Sequence, residues 1–283
     1  MVRLSAIQLC SSPLVDENLN KIEHFIKQLV IADDEQSSSH FIVLPECCLC
    51  FGGPEIEQLN LAKTNVDSHH LTLSLAGLAK RYGVTLIAGT IPLLAAGGNK
   101  FTNSSCVFSP TGELISRYDK IHLFDVQVTN SEQPYYESRY TQAGHSVCLA
   151  QSAELTLGLS VCYDVRFAEL YRQLRYLGAD VITVPSAFTR VTGQAHWQAL
   201  LQARAIENQV YIIAAGQEGV HVNGRETWGH SMIISPWGEI LACREVGEGV
   251  ISAQYHQQEI KRVRQAMPVL DHNKFTVELK AYE

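Results

Sequence analysis

A carboxylate, an ammonium and a thiol stand where three predicted strands end. Glu46 follows the apolar run 41–45, and Lys120 and Cys162 each close a predicted strand of their own. Together the three groups suit acyl transfer: the carboxylate accepts the thiol proton, the thiolate attacks a carbonyl carbon, and the ammonium stabilises the oxyanion. The backbone N–H of Tyr163 is a second candidate donor to that oxyanion. Spacing alone leaves a simpler alternative open, because a charged residue at a strand end is often only returning to solvent.

The thiol of Cys162 is predicted to lie between a strand and a helix. Residues 155–162 alternate between large apolar and small side chains, which is typical of a strand. Asp164 offers an N-cap, and apolar residues then recur at helical spacing as far as residue 177. Because free N–H groups and the helix dipole favour a negative charge at such a position, the sequence predicts that Cys162 tends toward the thiolate.

The remaining pattern predicts an α/β protein made of two similar halves. The apolar strand at 84–89 resembles the one at 210–215, 126 residues later, and the turn at 109–113 resembles the turn at 235–239 at the same offset. Two facing sheets with helices outside would bury such strands on both sides. Chance similarity of short strands is the alternative. No linker is evident, so one domain is expected over 1–283, with a C-terminal arm from about residue 259.

Composition and charge exclude several classes of protein. The chain has 283 residues, is 46% hydrophobic and 18% charged, and carries a formal charge of −7. This acidic balance argues against a nucleic-acid partner or an anionic membrane surface, and no apolar run approaches the length of a membrane span. The N-terminus has the pattern of a first strand and not of a signal peptide, so a cytoplasmic location is expected.

Eight cysteines in such a chain are expected to be reduced thiols. Cys47 and Cys50 form a lone C-x-x-C, with no second pair at a spacing that suits a metal. A zinc or redox role is therefore weaker than the alternative of buried thiols, and no metal site is predicted.

Three segments resemble the catalytic signatures of the nitrilase superfamily of carbon–nitrogen hydrolases. They are LPE at 44–46, YDKIHLFD at 118–125 and GLSVCYDVRFAEL at 158–170. The resemblance extends over about residues 4–268 and implies a four-layer α-β-β-α sandwich with two facing mixed sheets. It implies Glu46 as general base, Lys120 as stabiliser of the tetrahedral intermediate and Cys162 as nucleophile. It also implies a homodimer or higher homo-oligomer that needs no metal or organic cofactor.

A fourth catalytic residue is implied by the same resemblance. Glu137 matches a second glutamate of the family, which helps to position substrate and water. Glu132 is the nearby alternative for that role, and a surface carboxylate in a polar loop is the structural alternative.

The residue after the nucleophile narrows the implied reaction. Tyr163 stands where nitrilases typically have tryptophan, so the chain resembles the amidase branch that acts on α-keto or deaminated amides. The expected partner is a small-molecule amide that carries carboxylates, with deaminated glutathione first and α-ketoglutaramate, the ω-amidase substrate, as the alternative. A catalytically silent binding scaffold is the non-enzymatic alternative.

An arginine that binds a substrate carboxylate is plausible in such an enzyme. Arg166 and Arg190 are the candidates, and an ion pair within the fold is the alternative role for Arg166. The other predicted substrate-binding residues are Tyr163, Phe188, Thr192 and His196. The chain departs from the family at Gln194, where proline is usual, and this leaves the local loop geometry open.

Overall fold

The computed structural model describes residues 1–33, 39–127 and 134–280. Within these ranges the strands are β1 (Val2–Gln8), β2 (Ser39–Val43), β3 (Thr85–Ile87), β4 (Ile91–Leu94), β5 (Phe101–Phe108), β6 (Leu114–Asp119), β7 (Asp125–Val126), β8 (Tyr135–Tyr136), β9 (Leu149–Gln151), β10 (Thr156–Leu159), β11 (Val181–Ser186), β12 (Tyr211–Gly216), β13 (Glu218–Val220), β14 (Glu226–Trp228), β15 (Ser231–Ile234), β16 (Ile240–Arg244) and β17 (Gly249–Tyr255). The α-helices are α1 (Val15–Ile31), α2 (Glu57–Ser68), α3 (His70–Tyr82), α4 (Ala168–Tyr176), α5 (Arg190–Asn208), α6 (Gln257–Ala266) and α7 (Val269–His272).

Two mixed sheets form the centre of the described chain. The first has the strand order β17-β1-β2-β3-β5-β4 with β6 along β5, and the second has the order β16-β15-β12-β11-β10-β9. The inner strands β1, β2 and β3 run parallel, as do β10, β11 and β12, while the outer strands pair antiparallel. The prediction of an α/β fold with two mixed sheets is confirmed.

Alternating side chains explain the four layers. In β1 and β2, Leu4 and Phe41 point into the core shared with the second sheet, whereas Ile7 and Ile42 point into a separate core under α1 and α3. On the far side, α4 and α5 cover the second sheet through Leu174 and other apolar side chains. Strands that are apolar on both faces therefore lie between a helix layer and the other sheet.

Helix α5 differs from its predicted extent. The sequence predicts a loop up to residue 193 and a helix from 196, but α5 already begins at Arg190. The cause is an N-cap, since the Thr189 side chain accepts a hydrogen bond from the N–H of Thr192 at 3.4 Å. Gln194 therefore lies on the exposed side of this helix and not in a loop.

Helix α2 has no counterpart in the predicted pattern. Its buried residues Leu59, Ala62 and Asn65 recur every three positions, which is a narrower stripe than an amphipathic helix usually shows. The remaining side chains of α2 are mostly polar, so the pattern of hydrophobic residues does not reveal the helix.

Strand β17 brings the chain from the second half back to the first sheet. It pairs antiparallel with β1, from Val2 opposite Tyr255 to Gln8 opposite Gly249. Helix α6 then packs on the second half, where Arg264 forms a 3.1 Å ion pair with Asp180. In the described part of the tail, residues 273–280 form neither helix nor strand. No helix among the described residues combines the length and apolarity needed to cross a membrane.

Candidate active site

Three strands, drawn from both sheets, end at one pocket. Glu46 follows β2, Lys120 follows β6, and Cys162 follows β10, and all three side chains line this pocket. Lys120 is 2% exposed and Glu46 4%. Neither residue is returning to solvent, so that simpler alternative does not describe them. Glu137 also lines the pocket, whereas Glu132 lies outside the described residues.

The Lys120 ammonium lies between two carboxylates. Its Nζ is 2.9 Å from Glu46 Oε1 and 2.8 Å from Glu137 Oε2. Burial alone would lower the pKa of Lys120, but the negative charges of Glu137 and Glu46 outweigh it and hold the pKa well above its usual value. Lys120 is therefore a permanent cation at the base of the pocket.

The two oxygens of Glu46 have different partners. Oε1 accepts from Lys120 and from Asn103 Nδ2 at 2.9 Å, while Oε2 accepts from the Ala187 N–H at 2.9 Å. Burial raises the pKa of Glu46, but the charge and hydrogen bond of Lys120 and the other donors outweigh it and bring the pKa below its usual value. Glu46 is thus ionised at neutral pH and can accept a proton.

Cys162 adopts a strained backbone conformation at the strand end. Its φ of 50° lies in the left-handed region, which is uncommon for residues other than glycine. It opens a short 3₁₀ helix, Cys162–Arg166, and its side chain lines the same pocket as Glu46. This turn directs the thiol into the pocket beside the carboxylate.

The predicted tendency of Cys162 toward the thiolate is wrong. Burial, followed by the adjacent negative charge of Glu46, raises the pKa of the Cys162 thiol far above its ordinary value, although Lys120 opposes the rise. The helix that follows the cysteine is a single 3₁₀ segment, too short to outweigh burial through its dipole. In the resting site Cys162 is a thiol, and its proton has an acceptor in Glu46.

Asp164 does not cap the long helix that it was predicted to start. Helix α4 begins at Ala168, and Asp164 instead accepts from the Val161 N–H at 2.8 Å and from the Tyr118 hydroxyl at 2.7 Å. Its other oxygen is 2.7 Å from His122 Nδ1. This fully buried carboxylate thereby ties the cysteine turn to the segment that carries the lysine.

Asn103 is a site residue that sequence reasoning missed. Its Nδ2 donates to Glu46 Oε1 at 2.9 Å and lies 3.4 Å from Glu137 Oε1, so it links the two carboxylates on either side of Lys120. The N–H of Phe124 donates to Glu137 Oε2 at 2.7 Å. The one signal in the sequence was a polar residue inside the buried strand β5, which has no motif spacing.

The predicted substrate-binding residues divide into two groups. Tyr163, Phe188 and Thr192 line the pocket. The guanidinium of Arg166 stacks on the Tyr163 and Phe188 rings, with its central carbon 5.8 and 5.1 Å from their centroids. Its Nη1 is 3.3 Å from His196 Nδ1, and neither Arg166 nor His196 lines the pocket. Substrate contacts by these five residues remain predictions.

Arg190 also lies outside the pocket lining. Its half-exposed guanidinium forms a 3.2 Å ion pair with Glu226, and a substrate contact remains a prediction. Arg225, which had not been singled out, is the arginine in the lining.

The C-x-x-C pair lies inside the protein, with Cys50 buried and Cys47 partly buried. Cys47 and Cys50 both line the pocket and are free, and burial raises the pKa of Cys50 to about 12. Burial and then the charge of Glu46 also raise the pKa of Cys47. A thiol with a raised pKa is a poor redox or metal-binding group. Among the described residues no cluster of three metal-ligating side chains occurs.

Comparison with known proteins identifies the family to which this chain belongs. A family model described as carbon–nitrogen hydrolase matches residues 3–265. The chain belongs to the carbon–nitrogen hydrolase family. This hydrolase is 42% identical to a deaminated glutathione amidase of a Synechocystis strain, covering 96% of this chain and 97% of the relative. It is 36% identical to an omega-amidase of Xenopus laevis, covering 98% of both chains.

A solved structure supports the same assignment of the hydrolase fold. The C. elegans NitFhit protein superposes with a TM-score of 0.88 at 30% sequence identity, covering 99% of this chain and 68% of that protein. The predicted resemblance to the nitrilase superfamily and the predicted sandwich fold are confirmed.

Proposed function

We propose that this chain is a cysteine-dependent amidase that hydrolyses a carboxamide or peptide bond in a small, carboxylate-bearing substrate through a thioester. One observation carries the proposal: a buried, protonated lysine lies between two carboxylates in the pocket that contains the Cys162 thiol. In this pocket Glu46 can act as the general base, Lys120 as the cation that stabilises the oxyanion and Cys162 as the nucleophile.

The first half of the reaction forms the thioester. Glu46 accepts the Cys162 proton while the sulfur attacks the amide carbon, so no free thiolate has to exist beforehand. Lys120 faces the negative charge that develops on the carbonyl oxygen, and the Tyr163 N–H is proposed as the second donor. The C–N bond then breaks, and the amine or ammonia leaves with the proton that Glu46 accepted.

The second half releases the acid. Water gives a proton to a carboxylate of the site and attacks the thioester carbon, and the C–S bond breaks to return the thiol. Glu137 is proposed to position this water, because its carboxylate is fixed by Lys120 and by the Phe124 N–H. Water and amide are consumed, acid and amine are formed, and no redox change occurs.

Deaminated glutathione is the substrate we propose first. The relative of that name is more similar to this chain than the omega-amidase is, at 42% against 36% identity. α-Ketoglutaramate is the second candidate, because both molecules place an amide at the same distance from an α-keto acid. A silent binding scaffold is disfavoured by the intact hydrogen-bonded set of Glu46, Lys120 and Glu137.

A substrate panel tests this proposal. We expect measurable hydrolysis of both molecules, with a higher kcat/KM for deaminated glutathione than for α-ketoglutaramate. The reverse order would make omega-amidase the better description. Absence of turnover with every linear amide in the panel would favour the scaffold instead.

We further propose a cytoplasmic homodimer or higher homo-oligomer. The eight cysteines are all free, as a reducing compartment maintains them.

On one surface Ile206 of α5 and Trp237 of the β15–β16 turn are 52% and 51% exposed, and they adjoin because Ile206 lies against Gly238. Exposed apolar area of this kind supports a contact between copies. Light scattering should give at least twice the chain mass of 31.4 kDa, and a monomeric mass would refute the assembly.

A further inference from the structure

The cations in the pocket suggest which group recognises the substrate's carboxylate. Among the described residues that line the pocket, the positively charged ones are Lys120 and Arg225. Lys120 is already paired with two carboxylates. The charge of Lys120 is therefore already balanced before a carboxylate-bearing substrate binds. An additional anion in this acidic pocket requires another cation.

Arg225 is held in place by aromatic rings rather than by an acid. Its guanidinium carbon lies 5.0 Å from the centroid of Phe51 and 4.9 Å from that of Tyr135. Both rings line the pocket too. Stacking of this kind fixes the plane of the guanidinium while leaving its N–H edge available for a ligand.

One hydrogen-bond donor of Arg225, its Nε, has no protein partner, and a ligand could supply one. Its Nε is buried and makes no hydrogen bond, and no ion pair joins Arg225 to any carboxylate of the described residues. The neighbouring carboxylate of Glu226 is taken by Arg190, and Glu55 of the pocket lining pairs with Arg139. A buried donor without a partner is costly, so its retention indicates a ligand that completes it.

We infer that Arg225 binds a carboxylate of the substrate in a bidentate ion pair and so selects carboxylate-bearing amides. The inference rests on the proposed amidase function and adds its specificity-determining residue. Arg225 and Cys162 line the same pocket, which is consistent with a carboxylate bound a short distance from the reacting amide.

Binding measurements test this inference without depending on turnover. Glutarate is the anionic probe and glutaramide the neutral one, and both are titrated by calorimetry into the full chain. Arg225→Gln should weaken glutarate binding about 10- to 100-fold, as expected for loss of a charge-assisted pair, and leave glutaramide binding within about threefold. Arg225→Lys should keep part of the affinity, because it retains the charge but loses the planar fork. Arg81→Gln, which removes an exposed arginine paired with Glu23, is the matched control.

Kinetics provide the second readout. For deaminated glutathione, Arg225→Gln should raise KM by a similar factor and leave kcat within about threefold, while the dimethyl ester of the same substrate is hydrolysed equally by both proteins. Equal losses with charged and neutral ligands, or no binding of glutarate to the wild-type protein, would overturn the inference. Glutarate binding that is lost in Arg225→Gln, in a protein that hydrolyses no amide, would refute only the proposed function.

Discussion

At the scale of single residues, the charge balance around Lys120 decides how the nucleophile is activated. Two glutamates flank one ammonium, and burial together with the negative charge of Glu46 opposes a resting thiolate at Cys162. Proton transfer to Glu46 during attack resolves this conflict, because the negative charge then moves from the carboxylate to the sulfur and on to the oxyanion. Activation in this site is therefore general-base catalysis rather than a lowered thiol pKa.

The pH dependence of thiol reactivity follows from this account. The pKa of Cys162 is raised, so its reaction with iodoacetamide should not show the increase near pH 8.5–9 that a free thiol shows. Glu46→Gln removes the negative charge beside the thiol, and the increase should then appear at lower pH. Peptide mass spectrometry of alkylated Cys162 against pH measures both. A wild-type midpoint near neutral pH would contradict the raised pKa.

The dependence of kcat/KM on pH in the acidic range provides a separate prediction. The pKa of Glu46 is lowered, so the base stays ionised until the pH falls below the usual glutamate value of 4.5. We expect kcat/KM to show no loss due to Glu46 above that pH. Glu46→Gln should reduce kcat at pH 7 by about 10²- to 10⁴-fold, the usual contribution of a general base. A variant with near wild-type kcat would exclude Glu46 as the base.

Sequence reasoning identified the reactive residues of the site better than the residues that hydrogen-bond to them and hold them in place. Glu46, Lys120, Cys162 and Glu137 were predicted, and all four line one pocket. The i, i+3 spacing of Arg204 and Glu207 on a helix also predicts a structural ion pair, and the structure has it at 2.8 Å. Asn103 and the role of Asp164 depend on which strands are neighbours, and no local pattern encodes that. The direction of the thiol pKa was missed because burial and the Glu46 charge are tertiary effects.

At the scale of elements, the start of α5 shapes one wall of the pocket. Thr189 and Thr192 both line the pocket, and the helix begins between them. Gly193 follows in the first turn, and a Cβ at this position would lie 2.3 Å from Trp228 Cγ. The close approach of β14 to this helix therefore requires a glycine, although glycine is a poor helix former.

A pair of glycine substitutions tests this packing. Gly193→Ala should destabilise the fold by about 1–3 kcal/mol because overpacking against Trp228 exceeds the gain in helix propensity. Gly77→Ala lies on the exposed side of α3, where nothing lies within 4 Å of the new Cβ, and should stabilise by about 0.5–1 kcal/mol. Urea unfolding measures both variants. Stabilisation by Gly193→Ala would show that Trp228 does not constrain the helix.

Periodicity located most elements but not their limits. The sequence predicts helices over residues 18–30 and about 71–81, and the structure has α1 and α3 there, each with four buried positions on one side. Helix α2 buries three residues and was missed. The early start of α5 depends on a cap at Thr189 that the sequence pattern did not distinguish from a loop.

At the scale of the whole molecule, β17 joins the two halves. The chain leaves the second sheet and pairs with β1 in the first, so the first sheet is completed by a strand from the second half. The sandwich itself was predicted from the internal similarity at an offset of 126 residues, but this crossover was not, because β17 belongs to neither repeat. One domain that unfolds as a unit is therefore our expectation.

Cooperative unfolding can be tested with the chain's own tryptophans. All three, Trp197, Trp228 and Trp237, lie in the second half, so their fluorescence reports that half, whereas far-UV circular dichroism reports the whole chain. We expect coincident urea transitions from the two probes, as two-state unfolding requires. A fluorescence transition separate from the dichroism transition would mean that the halves unfold independently.

The measurement that tests the central claim most directly is mass spectrometry of the enzyme quenched with acid during turnover of α-ketoglutaramate or deaminated glutathione. Cys47 provides an internal comparison, because it is a second thiol in the same pocket. The account predicts an acyl adduct on the peptide that contains Cys162, none on Cys47, and neither adduct nor amine release in Cys162→Ala. An acyl adduct on Cys47, or hydrolysis retained by Cys162→Ala, would contradict it.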